Sequence, residues 1–141
     1  MKQESKSRYV LDSYAILSYL EAEEGCHKVK DILELAVCGD CDIFMSVINL
    51  GEVAYIVERE RGFMNSQKVL AYIDELPISF VDADRYAVLK ASHLKAQYSI
   101  SYADCFAASL SQVKNAVLIT GDPEFKKIES LTSILWLVNN K

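Results

Sequence analysis

The sequence predicts an α/β fold built on a parallel sheet, and three observations carry that expectation. Short apolar runs alternate with helical stretches along the chain. The runs are apolar at consecutive positions, as in strands covered on both faces, and not at every second position. The stretches between them are helical, which is how parallel neighbours are connected. Right-handed crossovers then bring the carboxyl ends of the strands to one edge. At that edge open α/β sheets hold their ligands.

The first strand, 9–11, is Tyr9, Val10 and Leu11, and it stops at Asp12 before a helix over 13–21. Asp12 reads as the N-cap of that helix and equally as an acid aimed into the ligand crevice. A polar break, Glu21 to Gly25, precedes a helix over 26–36, with Val29, Ile32, Leu33 and Ala36 on one face. The second strand is 42–46. In the helix that follows, 47–61, Leu50, Val53, Ala54 and Val57 form one apolar stripe, and Ile48, Tyr55 and Ile56 make the opposite side apolar too. Such a helix is expected to be buried on both sides. Glu52 falls in the second face, where a carboxylate loses hydration and needs a cation or hydrogen bonds. Arg59 lies two turns along, beyond the reach of a standard helical pair.

Asn65 or Ser66 is expected to cap the next helix, which Leu76 and Pro77 stop. The third strand is 78–81. Asp82 and Asp84 are placed to cap a helix over 85–97, whose stripe reads Tyr86, Leu89, Lys90 and His93 with Val88 and Ala91 alongside. His93 reads as a surface or boundary residue. Ser101 and Asp104 have capping-box spacing at the start of another helix. There Ala103, Phe106, Ala107 and Leu110 allow close approach to the sheet. The fourth strand, 116–119, runs into Thr120, Gly121 and Asp122, with Pro123 suited to a first helical position. The last strand is 134–138, and residues 139–141 read as tail. No repeat, linker or low-complexity segment interrupts the chain, so one domain over 1–141 is expected.

Composition is that of a globular protein, 51% apolar and 25% charged. No apolar run approaches a membrane span, and the charged start lacks the apolar stretch of a signal peptide, which points to the cytoplasm. The net charge of −5 argues against a simple basic nucleic-acid binder. With four carboxylates set aside as a cation site, the remainder is close to balanced, and a bound cation reverses the local field. Cys26, Cys38, Cys41 and Cys105 are expected as thiols. Cys38 and Cys41 form a CxxC whose partner half of a zinc pattern is missing.

Asp12 and Asp122 fall at the ligand edge, and Glu52 and Asp104 fall in the first two turns of helices that leave it. Four carboxylates converging on one crevice repel one another and call for a cation. Hard, oxygen-preferring ions such as Mg²⁺ or Mn²⁺ suit such ligands.

The set Leu11-Asp12-Ser13, Asn49-Leu50-Gly51-Glu52-Val53, Ala103-Asp104-Cys105 and Thr120-Gly121-Asp122 resembles the PIN-domain nucleases. The chain is most similar to their VapC toxin branch, over nearly its whole length. The resemblance implies a PIN-like three-layer α/β/α sandwich with a central parallel sheet of about five strands. It implies a Mg²⁺- or Mn²⁺-dependent endoribonuclease with a 3′-oxygen leaving group. It also implies a homodimer and inhibition by a small antitoxin encoded beside it. Asp12, Glu52, Asp104 and Asp122 match the acidic quartet, as metal ligands and catalytic groups. Ser13 and Thr120 match the hydroxyls beside two of the acids. Glu124 fits an outer acid and a helix-start residue equally well. Transfer RNA, ribosomal RNA and messenger RNA are all compatible substrates. Arg59, Arg61 and Lys95 are the candidate phosphate contacts.

Other α/β classes fit less well. A receiver-like phosphoacceptor wants an acidic pair after the first strand, an Asp ending a central strand and a late Lys. Here Ser13 and Tyr14 follow Asp12, and the second strand ends at Ser46. A haloacid-dehalogenase-like phosphatase wants an Asp where Tyr14 stands, and no phosphate-binding glycine loop is present. A non-catalytic PIN-fold module that binds RNA or protein is the alternative compatible with the same residues.

Overall fold

The computed structural model describes residues 6–139. Residues 1–5 of the charged start and the last two residues of the tail lie outside the described residues. The elements run in the order β1 (Ser7–Leu11), α1 (Ser13–Leu20), α2 (Cys26–Val37), β2 (Cys41–Ser46), α3 (Val47–Arg61) and α4 (Phe63–Asp74). Then come β3 (Ser79–Val81), α5 (Arg85–Gln97), α6 (Tyr102–Lys114), β4 (Val117–Thr120), a 3₁₀ helix (Pro123–Ile128) and β5 (Ile134–Trp136). The five strands form one parallel sheet in the order β3-β2-β1-β4-β5.

Successive strand residues face opposite sides of the sheet, and the two sides have separate cores. Leu11, Ile43, Met45 and Ile119 face α1 to α4, meeting Ala15, Ile16, Val29, Ile32, Val53 and Ile73. Val10 and Leu118 face α5, α6 and the 3₁₀ helix, meeting Ala91, Phe106, Ala107 and Phe125. The result is the three-layer α/β/α sandwich of the PIN-like fold. Helix α6 is buried along its length from Asp104 to Ser111, because Ala107 and Ala108 let its backbone lie close to the central strands.

Several local expectations are corrected. Helix α3 is not buried on both sides: Val53 and Val57 are buried, while Tyr55 faces solvent and carries the Arg59 guanidinium 5.0 Å from its ring centre. Helix α5 turns its expected stripe outward, with Tyr86 59% and Leu89 56% exposed, and buries Ala91 and Leu94. The small Ala91 permits close packing that Leu89 would obstruct. Neither Asn65 nor Ser66 caps α4, which starts from Gly62. Asn65 instead donates back to Arg61 O at 2.8 Å, and Ser66 ties α4 to α3 through Ala54 O at 3.0 Å. Of the two acids after β3, Asp84 is the cap, accepting from Ala87 N at 2.9 Å. Strand β5 ends at Trp136, two residues early.

Candidate active site

The strand order reverses between β1 and β4, since the chain proceeds outward through β2 and β3 on one side and through β5 on the other. The carboxyl ends of those two strands frame the crevice where doubly wound sheets bind ligands. Register pairs Leu11 with Ile119, so the next residues, Asp12 and Thr120, meet at its floor. Asp12 fills both roles open to it. Its Oδ1 accepts from Ala15 N at 2.8 Å as the cap of α1, and its Oδ2 accepts from Thr120 Oγ1 at 2.5 Å. Thr120 Oγ1 in turn accepts from Asp122 N at 3.0 Å. Asp122 caps the 3₁₀ helix, accepting from Glu124 N at 2.9 Å, with Pro123 following as expected.

The other two acids arrive on helices. Ser46 caps α3 and Ser101 caps α6, accepting from Ile48 N and Asp104 N, each at 3.1 Å. Those caps fix the helix starts whose first two turns carry Glu52 and Asp104 toward the crevice. Asp12, Glu52, Asp104 and Asp122 all line one cavity of about 390 Å³, with Ser13, Tyr14 and Ser101 between them. Glu124 also lines it, and its second partner is Lys127 at 2.8 Å. Thr120 lies beneath, fully buried.

Electrostatics follow from that crowding. Burial is the main reason the Asp12 carboxyl is pushed up to about 8, and the charges of Asp104 and Asp122 add to it. Thr120 and Ala15 donate to it and pull the other way. Asp104 is pushed up to about 6, first by burial and next by Asp122. Two acids pushed upward in pKa by burial while facing further acids form a site short of positive charge.

A residue that the sequence placed within a motif but gave no role holds Glu52. Asn49 is fully buried, and its Nδ2 donates to Glu52 Oε1 at 2.9 Å and to Ala103 O at 3.2 Å. Among the described residues its Oδ1 has no hydrogen-bond partner. The available signal was an amide one helical turn before a candidate acid.

The basic residues do not join the acids. Arg59 lies on Tyr55, Arg61 pairs with Glu21 at 3.2 Å, and Lys95 donates to Ile100 O at 2.7 Å. None of the three lines the cavity. His93 is exposed and meets Gln97. Cys38 is exposed, whereas the buried Cys41 thiol donates to Ile32 O at 3.5 Å.

The donor set suits a hard divalent cation: every charged side chain lining the cavity is a carboxylate. Among the described residues no three His, Cys, Asp or Glu side chains are gathered tightly enough to chelate an ion as placed. Magnesium commonly keeps several waters and takes one or two carboxylates directly, so a looser set still fits it.

The sequence profile of the PIN domain matches residues 9–131, and the chain belongs to that family. No curated protein matches it significantly. Solved structures share the fold. VapBC2 from Rickettsia felis, bound to a DNA fragment from its promoter, superposes with a TM-score of 0.72 at 19% identity, over 93% of this chain and 99% of that one. DNA-bound VapBC from Salmonella typhimurium gives 0.72 at 16% identity, over 94% and 99%. VapC20 of Mycobacterium tuberculosis, a toxin that cleaves the sarcin–ricin loop, gives 0.65 at 14% identity, over 85% and 93%.

Proposed function

We propose that the chain, as a single domain over 1–141, is a metal-dependent endoribonuclease that hydrolyses RNA phosphodiester bonds in this crevice, and that it is the toxin of a toxin–antitoxin pair. The observation that carries the reading is the convergence of Asp12, Glu52, Asp104 and Asp122 on one cavity at the sheet's switch point, where the carboxyls of Asp12 and Asp104 are pushed well above the usual carboxylate range. Membership of the PIN domain family supports it.

Asp12 and Asp104 would hold a Mg²⁺ or Mn²⁺ ion, directly or through water, and Asp122 would complete the set. When bound, such an ion supplies Lewis acidity, which acidifies water and offsets charge developing on phosphate oxygens. The chain's own residues do the positioning. Thr120 fixes the Asp12 carboxylate from one side while Ala15 N fixes it from the other. Glu52, steadied by Asn49, would orient the attacking water or help to hold the ion. Ser13, on the cavity wall, orients a ligand carboxylate or a water.

The test is cleavage of a mixed pool of transfer and messenger RNA with Mn²⁺ or Mg²⁺, beside Asp104→Asn. Metal-dependent cleavage that vanishes in the variant is expected. Cleavage indifferent to the variant and to chelator would overturn the site. Silence from both proteins, with no metal-induced rise in melting temperature, would favour a non-catalytic module that binds RNA or protein.

A cytoplasmic homodimer inhibited by a small antitoxin completes the proposal. The antitoxin part is supported by the Rickettsia and Salmonella neighbours, which are VapBC assemblies. Growth arrest on expression, relieved by the adjacent small reading frame, is the expected behaviour.

A further inference from the structure

Tyr14 lines the same cavity as the four acids, and its ring occupies the space a side chain would take at position 121. A Cβ built on Gly121 would stand 2.2 Å from Tyr14 Cε1, 2.6 Å from Cζ and 2.9 Å from the hydroxyl oxygen. The hydroxyl end of the ring therefore rests on the turn between Thr120 and Asp122. Among the described residues that hydroxyl makes no hydrogen bond. The cavity wall carries the carboxylates of Asp12, Glu52, Asp104, Asp122 and Glu124 and no Lys or Arg. A phosphodiester entering it meets repulsion from every charged side chain and needs donors that bring no negative charge. Ser101 Oγ accepts from Asp104 N as the cap of α6, and its own proton is engaged by the Asp104 carboxyl, whose pKa that bond lowers. Tyr14 offers a neutral O–H on a ring that cannot swing toward Gly121.

We infer that the Tyr14 hydroxyl binds substrate, donating a hydrogen bond to a non-bridging oxygen of the phosphodiester from a position set by the contact of its ring with Gly121. The inference rests on the nuclease reading above and assigns a phosphate-binding group to that same site. It also explains the glycine: any side chain at 121 would push the ring off the turn.

The experiment uses Tyr14→Phe, which keeps the ring contact and removes the donor. Cleavage by Tyr14→Phe is compared with that by the parent. Binding of a fluorescent single-stranded oligoribonucleotide is compared between Asp104→Asn and Asp104→Asn with Tyr14→Phe. A hydrogen bond to a charged acceptor predicts a fall in kcat/KM of about tenfold to a hundredfold, with an unchanged melting temperature and Mn²⁺-induced shift. The oligonucleotide affinity should fall with it. On a Gly121→Ala background, where the ring is displaced, Tyr14→Phe should cost little more. Should Gly121→Ala fail to fold, the first comparison decides alone. Normal cleavage and affinity in Tyr14→Phe would overturn the inference and leave the nuclease reading standing. Should the parent cleave no RNA and show no metal-induced rise in melting temperature, the nuclease reading falls, and the binding arm still decides Tyr14. Reduced affinity supports the contact, whereas equal affinity, or none in either protein, refutes it.

Discussion

The Asn49 amide donates to Glu52 Oε1 at 2.9 Å from one turn earlier on α3, and the same nitrogen donates to Ala103 O at 3.2 Å on α6. One buried side chain thus ties the helix bearing Glu52 to the residue that precedes Asp104. Asn49→Leu keeps the branching of the side chain and removes the tether. Two lost hydrogen bonds, partly offset by removal of the unpartnered Oδ1, should cost about 1 kcal/mol of stability. The larger effect is expected in turnover: kcat should fall about tenfold, with KM nearly constant, because a loose Glu52 misplaces the attacking water. Steady-state cleavage and urea unfolding of the same variant separate the two effects, and an unchanged kcat would show that Glu52 needs no tether.

Thr120 is fully buried and spends its hydroxyl on Asp12 and on Asp122 N. Thr120→Val is nearly isosteric and deletes the donor. Its hydrogen bond is a force that lowers the Asp12 pKa, so the variant should hold its proton more tightly. A carboxylate deprived of a buried donor should lose about tenfold in apparent Mn²⁺ affinity at pH 7. Calorimetric titration should show that deficit narrowing at pH 9, where the proton competes less. Equal affinities at pH 7 would mean Asp12 does not meet the ion.

Gly25 opens α2 at φ +85°, and a Cβ there would stand 2.3 Å from Leu137 O. Gly39 has φ +78° with nothing near its missing Cβ. Both substitutions to Ala incur the left-handed backbone cost of about 1–2 kcal/mol. Gly25→Ala adds a collision with main chain beyond β5, and should cost at least about 3 kcal/mol in all. Urea midpoints for the two variants make the comparison, and equal losses would mean the α2 entry shifts freely.

The sequence made the sheet legible because buried parallel strands are continuous apolar runs, and Val10, Leu11, Leu118 and Ile119 announce themselves that way. It also put Asp12 and Asp122 at the crevice edge, because each closely follows such a run, and each caps a helix there as well. What it did not show was tertiary. Which side of α5 packs depends on the small Ala91 facing α6, and local periodicity instead favoured the larger Tyr86 and Leu89. The Asn49 tether joins residues 54 positions apart in the chain, and the Tyr14 contact with Gly121 joins opposite ends of it. Neither leaves a periodic trace.

The two buried acids give the protein a pH signature. Asp12 rises from a usual 3.8 to about 8, and Asp104 from 3.8 to about 6. A carboxyl whose pKa is higher in the folded than in the unfolded chain binds its proton more tightly when folded. Its stabilising contribution is complete below 3.8 and is lost as pH rises through the folded value. Metal-free protein should therefore lose stability between about pH 4 and pH 8, through both acids up to about pH 6 and through Asp12 alone above it. Asp12→Asn should flatten the upper part of that slope. A cation binds the ionised acids, so the stabilisation given by Mn²⁺ should run the opposite way, small at pH 5.5 and near full size at pH 8.5. At a hundred times its dissociation constant the full effect is about 2.7 kcal/mol. Urea unfolding across pH, with chelator and with Mn²⁺, measures both trends. A flat metal-free profile between pH 5 and 8 would mean that the acids are better hydrated than their burial implies. A metal effect independent of pH would mean that the ion binds elsewhere.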